Sequence, residues 1–329
     1  MKTLEQIRAS LKPYPVEVEF PDIHPWKTGN CGIDYAHSFD SGVPGPHVLI
    51  MALTHGNEVS GAIAVDAFLR SGLRPRQGRL SLAFGNVEAY QRFDPQNIDA
   101  TRYLDEDMNR VWLPSKLDGD QSSIELRRAR ELRPLIDSVD LLLDIHSMHE
   151  ESAPLMMCGA CIKGMEFAAT LGVPATVVVD SGHANGRRMR DYDDFNESAS
   201  EKNALLIETG QHFSQKSRQV ALDVAARFLI TTQVVCEEDV VQFLSSVKPD
   251  PQRFLQVTES IVANSMDFSF VEDFRGLELI ARSGTVIARD GDREIVTPYD
   301  NCVLVQPSLR HLGPGVTVVR LARVLDIPL

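Results

Sequence analysis

The chain has 329 residues, 43% of them apolar and 24% charged, enough to bury a sizeable core in one large domain with a smaller one beside it. Thirty-three lysines and arginines against 46 aspartates and glutamates give a net charge of −13, which opposes sequence-independent binding to DNA, RNA or anionic lipid. The opening Met1-Lys2-Thr3-Leu4-Glu5-Gln6 lacks the apolar core of a signal peptide and no apolar run reaches membrane-spanning length, so a soluble, cytoplasmic protein is expected.

Residues 1 to about 46 are mixed, with an alternating Val16–Phe20 that predicts an edge strand. The unbroken apolar run Val48–Leu53 predicts a strand buried on both faces. It stops at Thr54-His55-Gly56-Asn57-Glu58, which puts an imidazole and a carboxylate three residues apart at a strand end, where ligands gather in open α/β sheets. Taken alone, the same turn is an ordinary strand-to-helix connection, with Gly56 and Asn57 serving the turn and Glu58 the helix N-terminus. A helix follows from Val59 with Gly72 as its stop, then a strand at 80–86. Residues 87–118 read as a long functional loop carrying Arg102 and Arg110 among acidic neighbours. Ser122-Ser123-Ile124-Glu125 reads as a capping box opening a helix that Pro134 should kink or shorten.

Leu141–Ser147 is a second buried strand, ending in Asp144-Ile145-His146. His55, Glu58 and His146 form a His, Glu, His set, which leaves a catalytic zinc one open position for water. His149 competes as third ligand but falls beyond the strand end, and Asp144 is a candidate partner for His146. Apolar runs at 153–157 and 173–179 predict strands, and a third apolar strand, 203–210, ends in Glu208. Val220, Val224 and Phe228 mark a helix at i, i+4 spacing. After Pro249-Asp250-Pro251, short β-prone segments at 278–281, 285–288 and 302–305 predict a small all-β domain. The expected division is a hydrolase domain, 1–240, and a β-rich C-terminal domain, 241–329. Five cysteines (31, 158, 161, 236, 302) follow no disulfide framework, and Cys158-Gly-Ala-Cys161, lacking a second pair, reads as core thiols.

Together, His55-Gly56-Asn57-Glu58, Arg102, Asp107-Met108-Asn109-Arg110, Asp144-Ile145-His146 and Ile207-Glu208-Thr209-Gly210 resemble the aspartoacylase and succinylglutamate desuccinylase family over about residues 45–215. That family is a branch of the zinc carboxypeptidase fold. The resemblance implies a three-layer α/β/α domain with a mixed, largely parallel eight-stranded sheet. It implies one zinc ion per chain on His55, Glu58 and His146, with Glu208 as general base and Arg102 polarising the scissile carbonyl. It assigns Asn109 and Arg110 to the substrate carboxylate, and a further substrate arginine to Arg187 or Arg188. Aspartoacylase-like members also bring in a tyrosine from the C-terminal domain; the only one in that region is Tyr299, in surroundings that do not match.

The expected activity is hydrolysis of a small anionic N-acyl amino acid, such as an N-acetyl or N-succinyl amino acid, with homo-oligomers compatible and nucleic acid or membrane partners excluded. A metallocarboxypeptidase acting on peptide C-termini, or a non-catalytic zinc-binding sensor, would use much of the same set.

Overall fold

The apolar runs form the buried strands expected of them. In the computed structural model, which describes residues 3–182 and 185–326, every residue of His47–Ala52 is buried. The first strands in chain order are β1 (Ala36–Asp40), β2 (His47–Ala52), β3 (Arg79–Phe84), β4 (Leu141–Met148), β5 (Leu155–Met157), β6 (Thr176–Val179), β7 (Asn203–Gln211) and β8 (Arg253–Val262). They lie side by side in the order β1-β3-β2-β4-β7-β5-β6-β8. Most neighbours are parallel, the β1–β3 and β7–β5 pairs being antiparallel, so that β1, β5, β6 and β8 run opposite to β3, β2, β4 and β7.

Alternation along β2 explains why this stretch is apolar throughout. Val48, Ile50 and Ala52 pack with the helices Val59–Arg70 and Gln215–Thr231, whereas Leu49 and Met51 pack with the helix Ile124–Ser138 on the other face. The result is the three-layer arrangement, with both sheet faces covered.

The C-terminal part contributes β9 (Phe268–Phe270), β10 (Leu279–Ile280), β11 (Val286–Asp290), β12 (Arg293–Val296), β13 (Cys302–Val305) and β14 (Thr317–Leu325). The β-rich character is as expected, but β14, β13 and β10 continue the main sheet beyond β8, and only β12, β11 and β9 form a separate antiparallel sheet. The long strand β8 makes the connection by pairing with β6 on one edge and β14 on the other.

Two local expectations are corrected. Val16–Phe20 forms no strand; it runs alongside the start of the helix Gln215–Thr231, tied by Glu17 N to the Phe213 carbonyl at 3.0 Å, and the edge strand is β1. Pro134 does not shorten its helix, which runs on to Ser138.

Candidate metal centre and active site

Strand β2 ends in a sharp turn that begins with Leu53 at φ +60, a conformation that costs a side chain about 1–3 kcal/mol and is held by the surrounding core. Gly56 follows because a Cβ there would lie 2.5 Å from the Thr101 carbonyl oxygen; its N–H donates to the Arg102 carbonyl at 3.0 Å. Glu58 occupies the N-cap position of the helix Val59–Arg70, yet its carboxylate does not cap that helix. It turns instead to two imidazoles, reaching His55 Nδ1 at 2.7 Å with Oε1 and His146 Nδ1 at 2.8 Å with Oε2.

His146 arrives from the neighbouring strand β4, and Asp144, two residues earlier on the same face, holds its Nε2 at 2.8 Å. Asp107 does the same for His55 Nε2 at 2.9 Å. Each ring is therefore oriented by one carboxylate and turns Nδ1 toward Glu58, the arrangement by which proteins fix metal-binding histidines. Ligand atoms from buried His55, Glu58 and His146 all lie within 4.8 Å of one another. Two imidazoles and one carboxylate suit zinc, and three donors facing a cavity suit a catalytic rather than a structural ion. Burial pushes the Glu58 carboxyl up, but the two histidines outweigh it and hold it well below the usual carboxylate range. Burial works against a proton on His146, and Asp144 and Glu58 overcome it and raise the ring well above its ordinary value. A bound divalent ion would take the place of that proton.

Register brings Glu208 to this group, since His146 on β4 pairs with Glu208 on β7. Glu208 Oε1 accepts from Gln306 Nε2 at 2.9 Å, while Oε2 is buried without a hydrogen-bond partner. Burial first, then the charge of Glu58, pushes this carboxyl up to about 7.

The loop carrying Arg102 to Arg110 is ordered by a residue expected to do something else. Ser123 caps its helix through Leu126 N, but Glu125 does not close a capping box. Fully buried, it accepts from the backbone N–H groups of Leu104, Asp105 and Glu106 at 2.7, 3.1 and 3.2 Å, and from Asn86 Nδ2 at 3.0 Å. Glu125→Ala is therefore expected to lower stability by about 2–4 kcal/mol, as measured by urea denaturation, with Glu125→Gln milder because it keeps an acceptor oxygen.

The ordered loop brings Arg102 to 3.0 Å from Glu58 and 3.3 Å from Asp107. Asn109 is buried and accepts from Met189 N at 3.0 Å, which anchors the segment carrying Arg188. Burial and the nearby Arg102, Arg188 and Arg320, only partly offset by Asp107, lower the Arg110 guanidinium to about 10. Of the two candidate arginines, Arg188 lines the cavity; Arg187 does not, and its backbone is tied to Val111 and Trp112 instead. Arg188 is held by Asp180 and Asp191 but leaves Nη2 buried and without a hydrogen bond; Arg320 Nε lies 3.3 Å from Asp180 and is likewise unsatisfied.

All seven candidate residues line one cavity of about 350 Å³, together with Gln306, Arg320 and two histidines, His149 and His311. His149 does not join the first metal group; it lies with Asp99 and His311. Tyr299 is not among the lining residues: its hydroxyl bonds Thr258 at 2.5 Å and its ring lies under Arg323. Gln306 takes the place beside Glu208 from the C-terminal part, on a backbone with φ +52. Nothing in the sequence marks Gln306 or Arg320, and within Asp107-Met108-Asn109-Arg110 the resemblance implies no role for Asp107.

Residues 44–232 match the model of the succinylglutamate desuccinylase/aspartoacylase catalytic domain. Over 111 residues the chain is 32% identical to mouse (Mus musculus) aspartoacylase, covering 30% of this chain and 33% of that protein. Over 137 residues it is 28% identical to an N-acyl-aromatic-L-amino acid amidohydrolase of Xenopus laevis, covering 39% and 42%. The chain thus matches only about a third to two fifths of these curated relatives' length. In fold, it resembles the crystal structure of succinylglutamate desuccinylase from Vibrio parahaemolyticus, with a TM-score of 0.66 over 90% of both chains at 18% identity. With the family's domain matched across more than half of its length and the sheet arranged as in these structures, the chain belongs to the succinylglutamate desuccinylase/aspartoacylase family.

Proposed function

We propose that this chain is a zinc-dependent amidohydrolase that cleaves the amide bond of a small, anionic N-acyl amino acid. The observation that carries the reading is the position of Glu208, in register with His146, with one carboxylate oxygen unpartnered on a cavity walled by arginines. His55, Glu58 and His146 would hold the ion, which when bound supplies Lewis acidity and lowers the pKa of water to about 7.

The chain's own groups do the rest. Glu208 takes a proton from water at Oε2 and returns it to the leaving amine, a role typically worth about 10² to 10⁴ in rate. Arg102, fixed by Glu58 and Asp107, places positive charge where the carbonyl oxygen becomes negative. Asn109 and Arg110 receive the substrate carboxylate, and the unsatisfied nitrogens of Arg188 and Arg320 favour a second anionic group. Among the described residues no helix is long and apolar enough to cross a membrane, and the five free cysteines accord with a reducing, cytoplasmic setting.

The test is to incubate the zinc-loaded protein with N-acetyl and N-succinyl amino acids and with short peptides, and to measure the amine released. Turnover of the acyl amino acids, lost on chelation, is expected. Cleavage of peptides alone would replace the reading with a carboxypeptidase, and zinc binding without any turnover would replace it with a sensor.

Two further outcomes follow from the same geometry. Arg110→Ala should raise KM by about 10-fold or more with a smaller change in kcat, because a charged hydrogen bond to a carboxylate is worth about 1.5–3 kcal/mol; steady-state kinetics on the best substrate check this. Gln306→Ala should lower kcat roughly 10-fold at unchanged zinc content, because it frees the Glu208 carboxylate to turn; an unaltered kcat would remove Gln306 from the positioning of the base.

A further inference from the structure

Outside the His55, Glu58 and His146 group, three more imidazoles cluster, two of which, His149 and His311, line the same cavity. His149 follows the end of β4, His212 follows the end of β7, and His311 lies between β13 and β14. His149 Nε2 is 3.0 Å from His311 Nε2, and His149 Nδ1 is 3.1 Å from His212 Nε2 and 3.1 Å from Asp99 Oδ1. A neutral imidazole has one N–H and one lone pair, so His149 cannot satisfy all three contacts as hydrogen bonds. The shortfall falls on Asp99, which is 8% exposed and whose Oδ1 has no hydrogen-bond partner. Asp99 Oδ2 lies 3.6 Å from Arg310 and 3.9 Å from Arg8, but the buried Oδ1, beside crowded imidazole nitrogens, calls for a partner, and one ion would satisfy all three side chains together.

We propose that Asp99, His149 and His311 hold a second divalent transition ion of the zinc class. One ligand atom from each lies within 4.8 Å of the others. Two nitrogen donors with one oxygen favour zinc over magnesium or calcium, which take oxygen donors. Burial first, then the charges of Arg102 and Arg310 on His149 and of His149, Arg102 and Arg8 on His311, hold both rings well below their ordinary value, so their lone pairs are available at neutral pH.

The surrounding charges define the competitor. Glu150 engages Arg310 at 2.8 Å and Arg275 at 3.1 Å, whereas Arg8 Nη2 sits 3.2 Å from His311 Nδ1. An ion on His311 Nε2 puts the ring proton on Nδ1, so Arg8 must turn away, and Arg8→Ala should tighten binding. Asp99, His149 and His311 come from segments far apart in sequence, so the ion acts as a clamp that fixes the C-terminal wall of the cavity to the sheet.

The inference does not depend on the hydrolase reading. The full chain, stripped of metal and then saturated with zinc, is passed through gel filtration and its zinc counted by mass spectrometry. Two ions per chain are expected for the wild type, one for the His149→Ala/His311→Ala variant and one for the His55→Ala/His146→Ala variant. A wild-type count of one that survives in the His149→Ala/His311→Ala variant would overturn the proposal, as would a count of two in that variant. Cobalt titration of the wild type requires no variant to fold: a second equivalent should add its own visible absorption, and saturation at one equivalent contradicts the second site.

Discussion

Replacing Glu208 by glutamine should reduce amide hydrolysis by at least about 10²-fold while leaving zinc bound and the fold intact, because glutamine fills the same space and cannot accept a proton. The wild-type rate should fall as pH is lowered and the base is protonated. The same substitution has a second, opposite effect on stability. In the metal-free chain Glu208 is pushed up to about 7, by burial first and the charge of Glu58 second. A carboxyl raised in the folded state keeps its proton where the unfolded chain has lost it. Stability therefore falls as pH rises from the ordinary glutamate value through about 7, and above that the penalty is constant. Glu208→Gln removes the penalty, so at pH 8 the metal-free variant should be more stable than the wild type, by up to about 3 kcal/mol. Less activity together with more stability identifies a group kept for chemistry; a variant with unchanged turnover would remove Glu208 from the mechanism.

Glu58→Ala should have the largest effect of all, with activity reduced on the order of 10³-fold or more and stoichiometric zinc lost from the first site. The carboxylate meets His55, His146, Arg102 and the Ser147 N–H at once. Its removal strands buried cationic groups, and breaking a buried ion pair from one side costs about 3–5 kcal/mol. Thermal denaturation and metal content check both parts. A variant that kept its zinc would show that the two histidines suffice without it.

The His55, Glu58 and His146 group was legible because His55 and Glu58 lie in the turn that follows the apolar strand β2 and His146 lies near the end of the apolar strand β4, and the ends of parallel strands face the mouth of an α/β sheet whatever the distance in sequence. Glu208 could be found in the same way, and the parallel register of β4 and β7 then places it beside His146. Arg102, Asn109 and Arg110 were legible only through the family resemblance, since nothing periodic surrounds them. Contacts across the fold left no local trace: Glu125, which accepts from the N–H groups of residues 104–106, stands in a sequence that reads as a capping box, and Gln306 and Arg320 sit in a tail whose short strands suggest independence. The alternation in Val16–Phe20 is a genuine β pattern, but β1 already occupies the edge of the sheet beside β3. His149 looked like a spare ligand because its true neighbours, Asp99 and His311, lie 50 and 162 residues away in sequence.

The most direct test of the central claim is X-ray diffraction from crystals of the zinc-loaded protein, recorded on both sides of the zinc absorption edge. An anomalous peak bonded to His55, Glu58 and His146, with Glu208 beside it, is expected. Zinc bound elsewhere, with these three side chains paired only to one another, would contradict it.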